Sequence, residues 1–467
     1  MLFSSMTFIG LFLPILLAIY VFARKELKNY VLLFASILFY AWGEPKYVLI
    51  MLTTIVITFV GALGVDIAKG QLLKKLALGF SIILELSFLA YYKYFNFVID
   101  NINAMFGANI EIVKIIMPIG ISFYTFQSIS YLVDVYRKDV EPQWDIFKLA
   151  LYICLFPQLI AGPIVKYHDI ADQIDNREES FDKVVYGIKR FIIGLSKKVL
   201  IANSLGAVAD KIFTQEVIAI DPMIGWLGAI SYAFQLYYDF SGYSDMAIGL
   251  GYIFGFKFME NFNYPYISKS ITEFWRRWHI SLSTWFKEYL YIPLGGNRVK
   301  PYRVYLNLFI VFLATGIWHG ASWTFILWGV WNGLFIILEK RTSWHKKEGK
   351  VISIIQHIYC IAVFLFGWIL FRSDSVHYAL DYIANMFGLI SEHDILYKTM
   401  YYIDNIEVIT LICAFIFATP IGLKLFNFGN SNKFALPIMN VMLIVLMILS
   451  MASIASGTYN PFIYFRF

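Results

Sequence analysis

The sequence predicts an all-α polytopic membrane protein. Of its 467 residues, 59% are hydrophobic, 19% aromatic and only 15% charged, a composition outside the range of soluble globular domains. Apolar runs that approach or reach the roughly 20 residues of a transmembrane helix recur along the whole chain, separated by Lys and Arg clusters. They lack the alternating pattern of strands, which excludes an outer-membrane barrel. We expect about ten to twelve transmembrane helices, with interfacial or re-entrant helices between them.

The apolar runs indicate both the spans and their orientation. The first run has no Lys or Arg before it, and residues 24–28 after it are basic without a cleavage site. We therefore expect a retained first helix rather than a signal peptide, with the amino terminus outside a plasma or inner membrane. The runs are 2–22, 47–65, 77–92, 305–318, 323–338, 352–371, 408–425 and 437–454. By the same rule the basic segments 69–75, 189–198, 276–303 and 340–350 are cytoplasmic.

Several classes of protein are excluded by missing signatures. The net charge of +6 fits membrane topology and anionic lipid headgroups, so we expect contact with lipids and not with nucleic acid. Cys154, Cys360 and Cys413 lie apart in apolar segments without a ligand spacing, and no metal site is expected. The metalloprotease, nucleotide-binding and serine-hydrolase motifs are lacking as well. Without an internal repeat, we expect one continuous membrane domain over residues 1–467.

Three segments before residue 200 carry polar or helix-breaking residues. Residues 120–131 place hydroxyls and Gln127 in a lipid-compatible run, where they either tie helices together or line a cavity. Residues 155–163 contain two prolines and a glycine, which predict a broken helix. Residues 167–198 are charged and amphipathic. They fit either a helix on the cytoplasmic surface or a solvated loop that enters another span.

A polar constellation lies in the apolar run 231–252. It places two carboxylates, Asp239 and Asp245, six residues apart, about 600° around a helix, so they would face different directions unless Gly242 breaks the helix. Such carboxylates either accept hydrogen bonds from buried groups or line a reaction chamber. The other polar residues of this run are Gln235, Ser241 and Ser244.

An amphipathic helix is predicted to begin at Ser270, because Glu273 three residues later completes a capping-box signature. Basic residues occupy its other face, which is typical of a helix in the membrane interface. His279 falls on the apolar face. It is either a hydrogen-bonded core histidine or a contact for a molecule that crosses the bilayer. The apolar face comprises Phe274, Trp275, Trp278, Leu282, Trp285, Phe286 and Tyr289.

His319 lies between two long apolar runs, and an ionisable residue at membrane depth is by default a functional candidate. Both flanks are basic, which places His319 toward the outer half of the membrane. Gly316 with Gly320, and Gly329 with Gly333, have the G-x-x-x-G spacing that permits close helix contact. We expect that contact to hold the imidazole rigidly.

These residue types fit two kinds of chemistry. A histidine with a pKa near ~6.5 can take a proton from a hydroxyl and return it to a leaving group, as acyl transfer from a thioester or ester requires. Asn332, Ser322 and tryptophan N–H groups such as that of Trp318 are candidate donors to an oxyanion. Alternatively, the histidine relays protons in a transporter.

Several motifs carry a resemblance to a known family. Residues 274–298 read FWRRWHISLSTWFKEYLYIPLGGNR, and residues 316–320 read GIWHG. Together they resemble the membrane-bound O-acyltransferases, and within them the alginate O-acetyltransferase branch. Further similar motifs lie at 122–127, 156–163, 238–247 and 460–464, so the resemblance covers nearly the whole chain.

The resemblance implies a multi-helix bundle around a central tunnel. It implies scaffold helices over 1–115, a catalytic core over 116–345 and C-terminal helices over 346–467. His319 matches the family's catalytic histidine, and His279 matches its second conserved polar position. The expected tunnel-lining residues are Trp275, Trp278, Trp318, Gln235, Asp239, Ser241, Asp245 and Asn332.

The resemblance also implies an activity and its partners. The family takes an acyl group from a cytoplasmic thioester, here acetyl-CoA or another acyl thioester, and no bound cofactor is expected. The implied acceptor is an exopolysaccharide or cell-wall polymer outside the membrane, reached through a separate extracytoplasmic acyltransferase of the SGNH type. D-alanyl transfer to teichoic acid, peptidoglycan acetylation and a non-enzymatic glycan or lipid transporter stay open.

Overall fold

A computed structural model describes residues 1–113, 115–390, 394–395, 397–457 and 459–463. The described residues form helices and connecting segments, and no β-strand occurs among them, which confirms the all-α prediction. They divide into two compact units: Met1–Phe191 with Met246–Met259, and Ile192–Asp245 with Glu260–Phe467. The boundaries fall elsewhere than at residues 115 and 345, and the single-domain organisation stays a prediction.

The helices are numbered in chain order. The first nine are α1 (Leu13–Phe22), α2 (Lys28–Gly43), α3 (Val48–Ile67), α4 (Gln71–Leu89), α5 (Phe95–Phe106), α6 (Ile121–Arg137), α7 (Ile146–Cys154), α8 (Phe156–Leu159) and α9 (Tyr167–Asn176). The others are α10 (Phe181–Ser196), α11 (Asn203–Phe213), α12 (Pro222–Ile253), α13 (Ile271–Arg277), α14 (Ile280–Phe286), α15 (Pro301–His319), α16 (Trp323–Thr342), α17 (Lys350–Arg372), α18 (Val376–Met386), α19 (Thr399–Tyr402), α20 (Asn405–Phe417), α21 (Ile421–Ser431) and α22 (Ala435–Ala455). Short π-helical segments occupy Phe8–Phe12, Ala90–Tyr94, Lys197–Ala202 and Lys287–Tyr291.

Several helices are long and apolar enough to cross a membrane. Within the described part of the chain there are five, namely Val48–Ile67, Phe181–Phe213, Pro301–His319, Lys350–Arg372 and Ala435–Ala455. The pair α20 and α21, bent by 76°, could form a sixth. That is about half of the expected number, because several apolar runs fold as shorter or interrupted helices. The first run, for example, forms a helix only over Phe8–Phe22.

In the first unit, α3, α4 and α6 pack closely. A Cβ on Gly61 would lie 2.4 Å from the Ser81 hydroxyl oxygen, so only glycine permits this approach. Glu85 is fully buried, with its Oε1 2.8 Å from Thr58 Oγ1. Thr58 Oγ1 also lies 2.8 Å from the carbonyl oxygen of Thr54. Since a hydroxyl has one proton to donate, donation to that carbonyl requires Glu85 to be protonated and to donate to Thr58.

The structure decides two of the three open segments. The helix is broken at residues 155–163 as predicted: α7 ends at Cys154, and the Phe156 N–H donates to Ser36 Oγ at 3.1 Å. In segment 167–198, α9 is a separate amphipathic helix. From Phe181 the chain instead forms a 33-residue apolar helix that runs to Phe213. Lys197 and Lys198 lie inside that helix, and the cytoplasmic assignment of residues 189–198 stays a prediction.

Candidate active site

His319 is positioned by the hairpin of α15 and α16. A Cβ on Gly316 would lie 2.5 Å from the Phe325 carbonyl oxygen, and one on Gly329 would lie 2.4 Å from that of Phe312. The two helices therefore touch backbone to backbone at this pair, which confirms the predicted close contact. His319 is the last residue of α15. Its backbone is consequently held by the tightest helix contact of the hairpin.

Aromatic rings enclose the His319 side chain, which is only 6% exposed. Its ring centroid lies 4.9 Å from that of Trp318, 4.9 Å from that of Trp328 and 5.2 Å from that of Phe371, all edge to face. Such contacts restrict the ring's rotation. They also exclude water, so a charge that develops beside the imidazole interacts more strongly than it would in solvent.

The predicted helix from Ser270 is broken at His279. Ser270 is the N-cap as predicted, since its Oγ accepts from the Glu273 N–H at 3.0 Å. The helix ends at Arg277, and His279 adopts a left-handed backbone conformation with φ 43° before α14 begins at Ile280. The prediction of one continuous helix was wrong. A non-glycine residue in this conformation costs about 1–2 kcal/mol, which the surrounding contacts must offset.

His279 is buried beside the same indole ring as His319. Its ring centroid lies 6.3 Å from that of Trp318 and 4.6 Å from that of Phe240. The structure therefore brings both predicted histidines into contact with the Trp318 ring. Burial lowers the pKa of His279 to about 3, so the imidazole is neutral at physiological pH. Its Nε2 is buried and has no hydrogen-bond partner within the described residues.

Asn332 links Trp275, a predicted site residue, to the backbone of Trp328. The Trp275 indole N–H donates to Asn332 Oδ1 at 3.1 Å, and Asn332 Nδ2 donates to the Trp328 carbonyl at 2.9 Å. Trp278 packs against Trp368 with ring centroids 4.9 Å apart. These residues form the aromatic wall beneath the histidines. The tunnel that they were expected to line stays a prediction.

Ser322 is used as a helix cap. Its Oγ accepts from the Thr324 N–H at 3.3 Å and lies 3.0 Å from Thr324 Oγ1. Because a hydroxyl that accepts a hydrogen bond can still donate its own proton, the role of Ser322 as an oxyanion donor stays a prediction.

Lysines neutralise the two carboxylates of α12. Lys198 Nζ lies 2.7 Å from Asp239 Oδ1, and Lys197 Nζ lies 2.7 Å from Asp245 Oδ2. The lysines are adjacent in the π-helical segment, which points them at two positions of α12. Both carboxylates are therefore held as ion pairs, and neither is placed as a free acid or base. The prediction had considered hydrogen bonding and chamber lining but not this pairing.

Gly242 does not break α12, which is continuous over 32 residues. A Cβ there would lie 2.7 Å from the Gly194 carbonyl oxygen. Gly242 is thus the point where α12 meets α10. The proposed break was wrong, because the glycine serves helix contact rather than a turn.

The remaining predicted residues of α12 contact other parts of the core. Gln235 Nε2 donates to the Tyr459 hydroxyl at 3.4 Å. The Ser241 hydroxyl is buried without a hydrogen-bond partner among the described residues. In the motif 460–464, Phe462 and Ile463 are buried, and Tyr464 lies outside the described residues.

Comparison with known proteins identifies the family. Residues 137–379 match the model of the MBOAT, membrane-bound O-acyltransferase, family, and this segment contains both histidines. The chain belongs to this family. The membrane-bound O-acyltransferase described here is thus a multi-pass membrane protein and an acyltransferase, as the motifs implied.

Three relatives show the range of activities for which proteins similar to this acyltransferase are named. It is 38% identical to a probable alginate O-acetylase from Azotobacter vinelandii, over 100% of both chains. It is 37% identical to a peptidoglycan O-acetyltransferase from Helicobacter pylori, over 83% of this chain and 80% of the relative. It is 28% identical to a teichoic acid D-alanyltransferase from Bacillus subtilis, over 57% of this chain and 71% of the relative.

A residue that sequence analysis missed supports the His279 segment of the acyltransferase. Glu339, near the end of α16, is 1% exposed. Its Oε1 accepts from the Ile271 N–H at 2.6 Å, and its Oε2 accepts from the N–H and the hydroxyl of Thr272 at 2.9 and 2.6 Å. An anion at a helix N-terminus satisfies otherwise unpaired N–H groups. The only sequence signal was an acidic residue at the boundary of an apolar run.

Replacing Glu339 with Ala is expected to lower the free energy of unfolding by about 2–4 kcal/mol, because several buried donors lose a charged acceptor. Thermal unfolding of the purified protein in detergent measures this loss. Glu348, exposed in the next loop, provides the control, and its Ala variant should unfold like the wild type. Equal unfolding temperatures of the Glu339 and Glu348 variants would contradict the structural role of Glu339.

Proposed function

We propose that this acyltransferase passes an acetyl group from a cytoplasmic thioester across the membrane for O-acetylation of a polysaccharide outside it. The pair of buried imidazoles that both contact Trp318 carries the proposal, because it provides two proton-accepting groups in a site with little exposure to solvent. The two relatives that match over most of this chain are both named for O-acetylation, which supports acetyl as the group.

The proposed chemistry needs one base and a protected site. The acceptor hydroxyl attacks the thioester carbonyl, His319 takes the hydroxyl proton, the carbon–sulfur bond breaks, and the proton passes to the departing thiolate. Alternatively, His319 attacks first and carries the acyl group transiently. His279 positions the donor or assists the proton transfer. By the charge pattern of the sequence, His279 lies toward the cytoplasmic side and His319 toward the outer side.

The proposed donor is acetyl-CoA or another acyl thioester, and the proposed acceptor is an alginate-like exopolysaccharide or a cell-wall polymer. We propose that a separate extracytoplasmic transferase of the SGNH type receives the group in the plasma or inner membrane. D-alanyl transfer to teichoic acid is the second candidate. The lower identity and shorter coverage of the teichoic acid relative favour O-acetylation.

Purified protein in proteoliposomes tests the proposal when acetyl-CoA is supplied on one side. We expect free coenzyme A to be released in proportion to the acetyl groups that leave the thioester. A D-alanyl thioester of a carrier protein should serve less well. Movement of a labelled glycan or lipid across the bilayer without release of free thiol would contradict acyl transfer and support a transporter.

A further inference from the structure

Asn261 contacts His279 through a fully buried hydrogen bond. Asn261 Oδ1 lies 3.2 Å from His279 Nδ1, and the two residues are 0% and 1% exposed. The backbone is held at the same place, because the Ile280 N–H donates to the Asn261 carbonyl at 2.9 Å. Asn261 is therefore fixed against the turn that carries His279.

The orientation of the Asn261 side chain follows from its second neighbour. Its Oδ1 accepts from the backbone N–H of Ser281 at 3.0 Å and from the Ser281 hydroxyl at 2.9 Å. A backbone N–H can only donate. If the amide were flipped, its NH₂ group would face that donor. The oxygen must therefore be the atom that faces Ser281, and the same oxygen faces His279.

This orientation decides which imidazole nitrogen carries the proton. A neutral imidazole has one N–H and one lone pair. Nδ1 of His279 lies 3.2 Å from this accepting oxygen and 3.4 Å from the Ser281 hydroxyl, whose single proton is donated to the same oxygen at 2.9 Å, so Nδ1 is the donor. The lone pair is then on Nε2, the buried nitrogen without a hydrogen-bond partner in the described part of the chain. The left-handed conformation of His279 allows one amide oxygen to receive donors from both residues 279 and 281.

We propose that Asn261 is a positioning residue that fixes the tautomer of His279, so that Nε2 is the nitrogen that accepts a proton during acyl transfer. This inference rests on the proposed function. When Nε2 takes the proton, Nδ1–H keeps its bond to Asn261. This proton is the one that His319 has removed from the acceptor hydroxyl, and Nε2 gives it to the departing thiolate, which restores the tautomer. A neutral amide holds the ring without stabilising its charged form as a carboxylate would, which keeps the proton transferable.

Two substitutions at Asn261 separate tautomer control from simple packing. Asn261→Ala removes the acceptor and is expected to lower kcat by about 10- to 100-fold, with KM for acetyl-CoA changed less than about twofold. Asn261→Asp keeps the acceptor and nearly the same shape. It should retain more activity than Asn261→Ala. Its added charge stabilises the imidazolium. As the pH is lowered, this variant should therefore lose activity at a higher pH than the wild type does. The acid limb of its kcat profile should move up by about one pH unit or more.

The matched control is Asn385, a fully buried amide whose Nδ2 donates to the Ile220 carbonyl at 3.1 Å. Asn385→Ala should destabilise the protein to a similar degree but leave kcat per folded molecule and its pH profile unchanged. An unshifted acid limb in Asn261→Asp, or a kcat for Asn261→Ala equal to that of Asn385→Ala, would overturn the inference.

Histidine variants distinguish failure of this inference from failure of the proposed function. If His279→Ala and Asn261→Ala release coenzyme A at the wild-type rate while His319→Ala does not, the results support acyl transfer and contradict the positioning role of Asn261. If the wild-type protein consumes no acyl thioester at all, the proposed function itself fails. If Asn261→Ala does not fold, the pH profile of Asn261→Asp still decides the question.

Discussion

His319→Ala is expected to lower kcat for acyl transfer by about 100- to 10,000-fold, the usual contribution of a positioned acid–base group. Its ring neighbours Trp318, Trp328 and Phe371 are not bases, so they cannot take over this role. A His319→Gln variant should be as inactive, although it fills most of the same space. Release of free coenzyme A by equal amounts of folded protein measures the effect.

The control for His319 is His377, which lies on α18 with its side chain 90% exposed. His377→Ala should have wild-type activity and stability. Wild-type thiol release by both His319 variants, at normal protein level and melting temperature, would remove His319 from the mechanism. Rapid acid quenching with a labelled acetyl donor then separates the two proposed chemistries. Label that remains on His319 supports a transient acyl carrier, and an unlabelled protein supports a general base.

The position of His319 could be predicted because it follows from residues that are close to it in the sequence. An ionisable residue in a long apolar run is costly wherever the helix lies, and Gly316 and Gly329 have a spacing that permits contact without knowledge of the rest of the fold. The position of His279 could be predicted only in part. The sequence pattern showed that His279 lies on the apolar face of a helix. The left-handed turn, however, depends on Asn261, which lies 18 residues earlier in the chain and cannot be connected to His279 by helical periodicity.

Charge patterns do not reveal an ion pair whose partners are distant in sequence. Lys197 and Lys198 count as surface charge in a topology rule that considers each segment alone, although Asp245 and Asp239 neutralise them. Fewer described helices than expected are by themselves long and apolar enough to cross a membrane, for a related reason. Hydropathy measures how apolar a run is, whereas the π-helical turns that interrupt several runs are decided by tertiary packing.

Breaking the Lys198–Asp239 pair is expected to cause the largest loss of stability. Both side chains are at most 3% exposed. Lys198 Nζ also donates to Asn203 Oδ1 at 2.7 Å and to the Pro461 carbonyl, and Asp239 Oδ2 accepts from the Ile463 N–H at 2.9 Å. Asp239→Ala leaves a buried ammonium without its counter-ion, which typically costs about 3–5 kcal/mol. Because the pair also holds residues 461 and 463, the segment that precedes residue 464 should become accessible to proteases.

The second ion pair of α12 supplies the control for this prediction. Lys197 is 25% exposed, so water can partly replace Asp245, and Asp245→Ala should cost less than Asp239→Ala. Replacing both partners, as in Lys198→Met with Asp239→Leu, should recover much of the loss, because it removes the uncompensated charge along with its partner. Chemical unfolding and limited proteolysis of the three variants measure these differences. A double variant as unstable as Asp239→Ala would show that the hydrogen bonds to residues 461 and 463, and not charge neutralisation, hold this part of the core.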